Sequence, residues 1–174
     1  LNDIKIPMLL KNLLLALLVL TATMIVVSKS LASDFGTTGL VTIPTARMQP
    51  DGSLTATIAQ NNVLDIFNVT YQATSFIEAT FRYTIAVNPD GLDSADEYQD
   101  RSYGIKVKLL DEGHTRPAVA VGIRDIFGTG ILAAEYFVVS KKLLSVDVSV
   151  GLGWGRFAGR SSFSNPIRVL SNEF

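Results

Sequence analysis

Residues 143–157 alternate almost without fault. Leu144, Val146, Val148, Val150, Leu152 and Trp154 fall on one side, and Ser145, Asp147, Ser149, Gly151, Gly153 and Gly155 on the other. A strand sends successive side chains to opposite faces, so this stretch predicts a ribbon that is apolar on one face and small or polar on the other. Six earlier segments repeat the pattern. Residues 53–61 set Leu54, Ala56 and Ile58 against Thr55, Thr57 and Ala59, and residues 63–72 set Val63, Phe67, Val69 and Tyr71 against Asn68, Thr70 and Gln72. Residues 76–85 place Ile77, Ala79, Phe81, Tyr83 and Ile85 opposite Glu78, Thr80, Arg82 and Thr84. Residues 102–110 place Tyr103, Ile105, Val107 and Leu109 opposite Gly104, Lys106 and Lys108. Residues 117–125 place Val119, Val121 and Ile123 opposite Ala118, Ala120, Gly122 and Arg124, while 131–142 is largely apolar on both faces, with Glu135 as a buried-looking charge.

Seven strands joined mostly by short turns, with one long excursion over 88–101, describe an antiparallel all-β fold. No helix-periodic segment follows the N-terminal region, and no linker divides the chain. Both a soluble sandwich and an up-and-down membrane barrel alternate in this way. Charge favours the barrel. The apolar faces carry almost none, Asp65 near a strand start being the exception, whereas Glu78, Arg82, Lys106, Lys108, Arg124, Glu135 and Asp147 are assigned to the opposite faces. An Arg or Lys facing lipid at the bilayer midplane costs about 2–4 kcal/mol, so lipid selects such segregation. Phe76, Tyr83, Tyr103 and Trp154, near segment ends, are candidates for interfacial girdles. The expected fold is therefore an outer-membrane type antiparallel up-and-down β-barrel, about seven strands of a larger one.

The first residues change the picture of where this happens. Lys5 and Lys11 flank a polar start, residues 13–27 form an unbroken apolar and threonine run, and "SKSLAS" offers Ser30 and Ala32 at small-residue cleavage spacing. The uncharged stretch 12–28 is at or below the roughly 17–25 residues of a spanning helix, which favours a cleaved signal peptide over an anchor. Residues 1–32 are thus expected to be the signal, 33–52 an extended segment containing "IPTARM", and 53–174 the barrel portion. Removing Lys5, Lys11, Lys29 and Asp3 takes 15 basic and 16 acidic residues to 12 and 15, net -3. Such a chain has no basic stripe for nucleic acid. With 0 cysteines among its 174 residues it has no disulfide, thiolate metal site or lipidated cysteine. A start at Leu and an end at "VLSNEF" are read as signs of truncation.

Catalytic chemistry finds little to work with. His114, the 1 histidine, sits in the turn "DEGHT" and is read as an exposed turn residue. The loop "NPDGLDSADEYQDR" gathers Asp90, Asp93, Asp96, Glu97 and Asp100, but without calcium-loop spacing, and is read as solvated. "GTTG" and "GLGWG" are too short and too strand-embedded to cradle phosphate. Arg47 is a candidate sugar or phosphate ligand, against the alternatives of a snorkelling arginine or a structural ion pair. No catalytic residue, cofactor or metal is expected.

The stretches "GLVTIPTARMQPDG", "FIEATFRYT", "YQDRSYGIKVKLLDE", "PAVAVGIRDIFGTGILAAEYFVVSK" and "VGLGWG" occur in this order and cover nearly everything from Asp34 to about Asn165. Together they resemble the N-terminal part of the YjbH-type exopolysaccharide-biosynthesis proteins. That resemblance implies a non-enzymatic, exported outer-membrane β-barrel, longer than this chain. Its implied partners are outer-membrane lipid, an extracellular polysaccharide and other polysaccharide-secretion proteins. Some members are lipoproteins; the missing cysteine departs there, so a lipid anchor is not implied. Arg47, Glu78, Arg82, Lys106, Lys108, Arg124, Glu135 and Asp147 become candidate lumen contacts with polysaccharide. The competing expectation is a soluble periplasmic β-sandwich that binds or hydrolyses polysaccharide through the acidic loop.

Overall fold

A computed structural model describes residues 32–87, 97–130 and 132–158. Residues 1–31 of the expected signal peptide, Asp90, Asp93 and Asp96 of the acidic loop, and the last residues of the chain lie outside them. The seven alternating segments become seven strands: β1 Leu54–Gln60, β2 Leu64–Thr74, β3 Ile77–Val87, β4 Glu97–Leu110, β5 Ala118–Ile126, β6 Ala134–Leu143 and β7 Val146–Gly153. They pair antiparallel in chain order, as one sheet running from β1 to β7. Two-residue turns at 75–76 and 144–145 lie at the end where β1 begins, together with the longer connection 111–117; connections 61–63 and 127–133 lie at the other end. These are called the turn end and the loop end.

The strand limits differ from the sequence expectation in two places. β4 is 14 residues long and begins inside the polar run expected to be loop. Its early residues are zipped to β3, with Val87 opposite Glu97 and Tyr83 opposite Arg101, and the Arg101 guanidinium lies 5.9 Å from the Tyr83 ring centroid. β7 stops at Gly153, so Trp154 precedes a short 3-10 turn, Gly155–Phe157, and Leu144 sits in the β6–β7 turn with a left-handed φ of 56°.

The two faces of the sheet have opposite chemistry. One side carries Leu54, Ile58, Phe67, Val69, Tyr71, Phe81, Tyr103, Ile105, Phe137, Val148 and Val150, all exposed. The other buries Asn68, Thr70, Gln72, Glu78, Thr80, Arg82, Thr84, Ser102, Lys106, Arg124 and Ser140. What buries them is the chain's own N-terminal part. Residues 32–52 form a strap across this inner face, folded on itself through bridges Ala32–Thr38 and Gly39–Pro44. Small apolar clusters lie where strap and sheet meet: Ala46 with Ala118, Ala120, Tyr136 and Val138, and Phe35 with Ile66 and Leu132.

Charged side chains with outward parity sit toward strand ends, at Asp65, Arg101 and Lys141. Glu135 departs from its expected side. It lies opposite Ile123 in an unbroken β5–β6 register, sharing the parity of exposed Phe137, although it is itself buried. Apolar residues on both faces of β6 gave the sequence no phase to read. The strap takes apolar partners there, so Tyr136 and Val138 occupy the inner positions.

Candidate functional site: the strapped inner face

At the turn end the strap is fastened by charge. Glu78 and Lys106 face each other across β3 and β4, fully buried, with Lys106 Nζ 3.1 Å from Glu78 Oε1. The same ammonium donates to the carbonyls of Thr38 at 3.1 Å and Arg47 at 2.9 Å. Glu78 in turn accepts the Thr38 amide at 2.9 Å and the Thr38 hydroxyl. An ammonium has three donors, and all three are used. A buried pair survives only when its leftover valences are hydrogen-bonded, which the strap backbone accomplishes here. Lys106 and Glu78, expected as sugar contacts, therefore hold the strap.

Arg47 forms the second fastening. Its Nε and Nη2 donate to the two carboxylate oxygens of Asp147 at 2.9 and 2.7 Å, a bidentate fork, and its Nη1 donates to Glu112. Of the readings open to Arg47 from sequence, the structure shows the ion pair. The Asp147 hydrogen bonds, outweighing partial burial, raise the arginine further above its already high value. Glu112 also accepts the Lys142 amide at 2.8 Å and lies 3.3 Å from Lys141 Nζ. The Lys142 amide first and Arg47 next hold the Glu112 carboxyl down at about 2. Lys108 points to Asp111 at 2.5 Å, and this contact lowers the Asp111 carboxyl. Between these fastenings, the Ala46 amide donates to Ser140 Oγ at 2.9 Å, and the Gln49 amide to Gln72 Oε1 at 3.1 Å.

The strap's first residues require Gly36. Its φ is 83°, and a Cβ there would come within 2.7 Å of Asn68 Cβ and 2.8 Å of Thr80. That closeness lets the Gly36 carbonyl accept from Thr70 Oγ1 at 2.9 Å, and the Asp34 carbonyl from Asn68 Nδ2 at 2.9 Å. It also seats Phe35 under the loop end. There Arg82 and Arg124, on β3 and β5, flank β4 through the pairs Arg82–Ser102 and Gly104–Arg124. Arg124 donates to Thr37 Oγ1 at 2.8 Å and lies 5.0, 5.6 and 4.9 Å from the rings of Phe35, Tyr136 and Phe157. Tyr136 reaches this place because Gly122 leaves room beneath it: a Cβ at Gly122 would be 2.3 Å from the phenol ring.

Of the eight candidate contacts, Arg47, Glu78, Lys106 and Asp147 serve the strap fastenings, Lys108 lies beside them, Arg82 and Arg124 form a separate group, and Glu135 has the outward parity. Phe35, Glu112 and Asp125 are participants that alternation did not reveal. Asp125 is the extra residue of a bulge, since Tyr103 pairs with Ile126 and Gly104 with Arg124; a φ of 68° brings its carboxylate to the Arg82 side of the sheet. Its signal was the step from Arg124 to a charged neighbour at the strand end, which strict alternation would have sent outward. His114 contributes its backbone carbonyl to Lys141 and takes no part in this arrangement.

Comparison with known proteins gives a family. Residues 31–174 match the YjbH family model, described as "Exopolysaccharide biosynthesis protein YbjH". The chain is 35% identical over 147 residues to the "Uncharacterized lipoprotein YjbH" of Escherichia coli (strain K12), a match covering 82% of this chain and 21% of that protein. The chain thus spans about a fifth of the length of this curated relative. No solved structure matches it.

Proposed function

Because this chain belongs to the YjbH exopolysaccharide-biosynthesis family, we propose that its sheet is part of the wall of an outer-membrane β-barrel that helps an extracellular polysaccharide leave the cell, without itself being an enzyme. One observation carries the reading: the sheet is inside out. Large apolar side chains are exposed over one face while Lys106, Glu78, Arg82 and Arg124 are buried on the other. A soluble sheet gives its apolar face to a core, whereas a barrel in lipid gives it to the bilayer and keeps polar groups within. Strand length agrees. β2, β3, β5 and β6 have 11, 11, 9 and 10 residues, against the roughly 9–11 that cross a membrane. Backbone edges are not tolerated in hydrocarbon, so β1 and β7 are completed by further strands. A relative that is a lipoprotein supports an envelope location. Two-residue turns at the end where β1 begins support a periplasmic position for that end and an outer one for the loop end.

The test is fractionation of cells expressing the complete reading frame, followed by electrophoresis of the protein with and without boiling, alongside measurement of secreted polysaccharide in a deletion strain. A membrane-retained band that shifts on boiling, and reduced polymer outside the deleted cells, are expected. A soluble periplasmic protein with no shift would instead support a sandwich.

A further inference from the structure

The two groups of inner-face charges are satisfied very differently. At the turn end, the Lys106 ammonium has an acceptor for each donor. At the loop end, Arg82 and Arg124 are 3% and 4% exposed, yet Arg82 Nε, Arg82 Nη2 and Arg124 Nε have no hydrogen-bond partner. Arg124 makes no ion pair among the described residues. Arg82 Nη2 comes within 3.5 Å of Asp125 Oδ1 but without hydrogen-bond geometry, and Asp125 Oδ1 is itself unpartnered. The nearby carboxylates are engaged elsewhere: Asp125 Oδ2 accepts the Leu132 amide at 3.1 Å, and Asp100 Oδ1 the Thr129 amide at 3.2 Å, both in the β5–β6 connection. What covers the two guanidinium groups is the ring of Phe35, 5.5 Å from Arg82 and 5.0 Å from Arg124, with Arg156 at 5.7 Å.

Buried donors without acceptors are rare in folded proteins and call for an explanation. Here they lie on two adjacent planar forks beside the rings of Phe35, Tyr136 and Phe157. We infer that Arg82 and Arg124 form a subsite for the carboxylate of an acidic sugar, with Phe35 as its displaceable cover; this inference rests on the reading of the inner face as a polysaccharide wall. The chemistry fits in three respects. A guanidinium fork matches a carboxylate in two parallel hydrogen bonds, which a neutral hydroxyl does not provide. The free oxygens Asp100 Oδ2 and Asp125 Oδ1 are acceptors for sugar hydroxyls. Tyr136 and Phe157, packed edge to face at 6.0 Å, give the C–H face of a pyranose a surface to lie on. Phe35 belongs to the strap rather than to the sheet, so its ring turns away without any strand leaving the ladder. In the covered state its π face compensates the cations in place of the anion.

The experiment is isothermal titration of the protein, expressed from its complete reading frame and purified in detergent, with hexagalacturonate, maltohexaose and sodium sulfate as separate probes. Hexagalacturonate is expected to bind, at least tenfold more weakly to Arg124→Gln or Arg82→Gln, and several-fold more tightly to Phe35→Ala. Equal binding of maltohexaose, sulfate binding as tight as the hexamer, unchanged binding by both arginine variants, or no binding by either wild type or Phe35→Ala would each overturn the inference. The boiling shift reports whether a variant is assembled; should an arginine variant fail to assemble, the Phe35→Ala comparison decides. A heat-shifted protein needed for secretion but indifferent to uronate would remove the subsite alone. A soluble, unshifted protein would remove the proposed function.

Discussion

Along β2 the outward Phe67, Val69 and Tyr71 are 41%, 43% and 47% exposed, while the inward Asn68, Thr70 and Gln72 are 2%, 2% and 1%. The same comparison holds on β3 and β4, where Phe81 and Ile105 face out and Glu78 and Lys106 face in. Each face can be understood only through what covers it. The inner face is covered by a strap whose backbone supplies the hydrogen bonds that Lys106 and Glu78 need once they leave water. Among the described residues nothing covers the outer face, and contiguous exposed apolar surface of this kind marks contact with a membrane or a partner.

The largest effect in this comparison belongs to the inner face. Lys106→Met leaves Glu78 buried without its cation and should cost about 3–5 kcal/mol, whereas Lys106→Met combined with Glu78→Gln should recover a good part of it. Urea unfolding of the protein in micelles checks both; equal losses in the single and double variants would mean that the pair does not hold the strap. On the outer face, Val69→Arg is expected to lower assembly through a penalty of about 2–4 kcal/mol, read as loss of the heat-shifted band. The same change on a sheet facing water would be nearly neutral, so this variant separates the two environments. Gly36→Ala should cost roughly 1–3 kcal/mol, because alanine is strained at φ 83° and its methyl meets Asn68 and Thr80. The loss should appear as a lower unfolding midpoint.

The smallest effect is that of pH on the Arg47 fastening. Glu112 has its carboxyl depressed from 4.5 to about 2 in the folded chain. A depressed carboxylate contributes stability above its unfolded value and loses it as pH falls through the folded one. The unfolding midpoint should therefore not respond to Glu112 between pH 7 and 5, and should decline between about pH 4.5 and 2 in the parent more than in Glu112→Gln. Identical decline in both proteins would show that Glu112 does not clamp the strap.

Most of this architecture was legible in the chain. Six of the seven strands follow from period-two alternation, because the sheet's two faces differ in chemistry, apolar and exposed on one and polar and buried on the other, and each residue had to match one of them. The inward positions of Glu78, Arg82, Lys106 and Arg124 followed from the same phase. What alternation does not encode is where that phase breaks or is absent: the Asp125 bulge, and β6, where an apolar inner face left Glu135 on the unexpected parity. The strap was visible as an extended segment with glycines and Pro44, but its course was not. Contacts such as Thr38 with Glu78, or Arg47 with Asp147, join residues 40 and 100 positions apart, and depend on the sheet having formed.

The central claim is that the exposed apolar face meets lipid. The direct measurement places an environment-sensitive fluorophore on single cysteines at Ile58, Val69, Ile105, Val121 and Val148, with Thr57 as the inward control, and quenches it with doxyl-labelled lipids in reconstituted bilayers. The account predicts strong quenching at the five outward positions and little at Thr57. Absence of quenching at all five outward positions would contradict it.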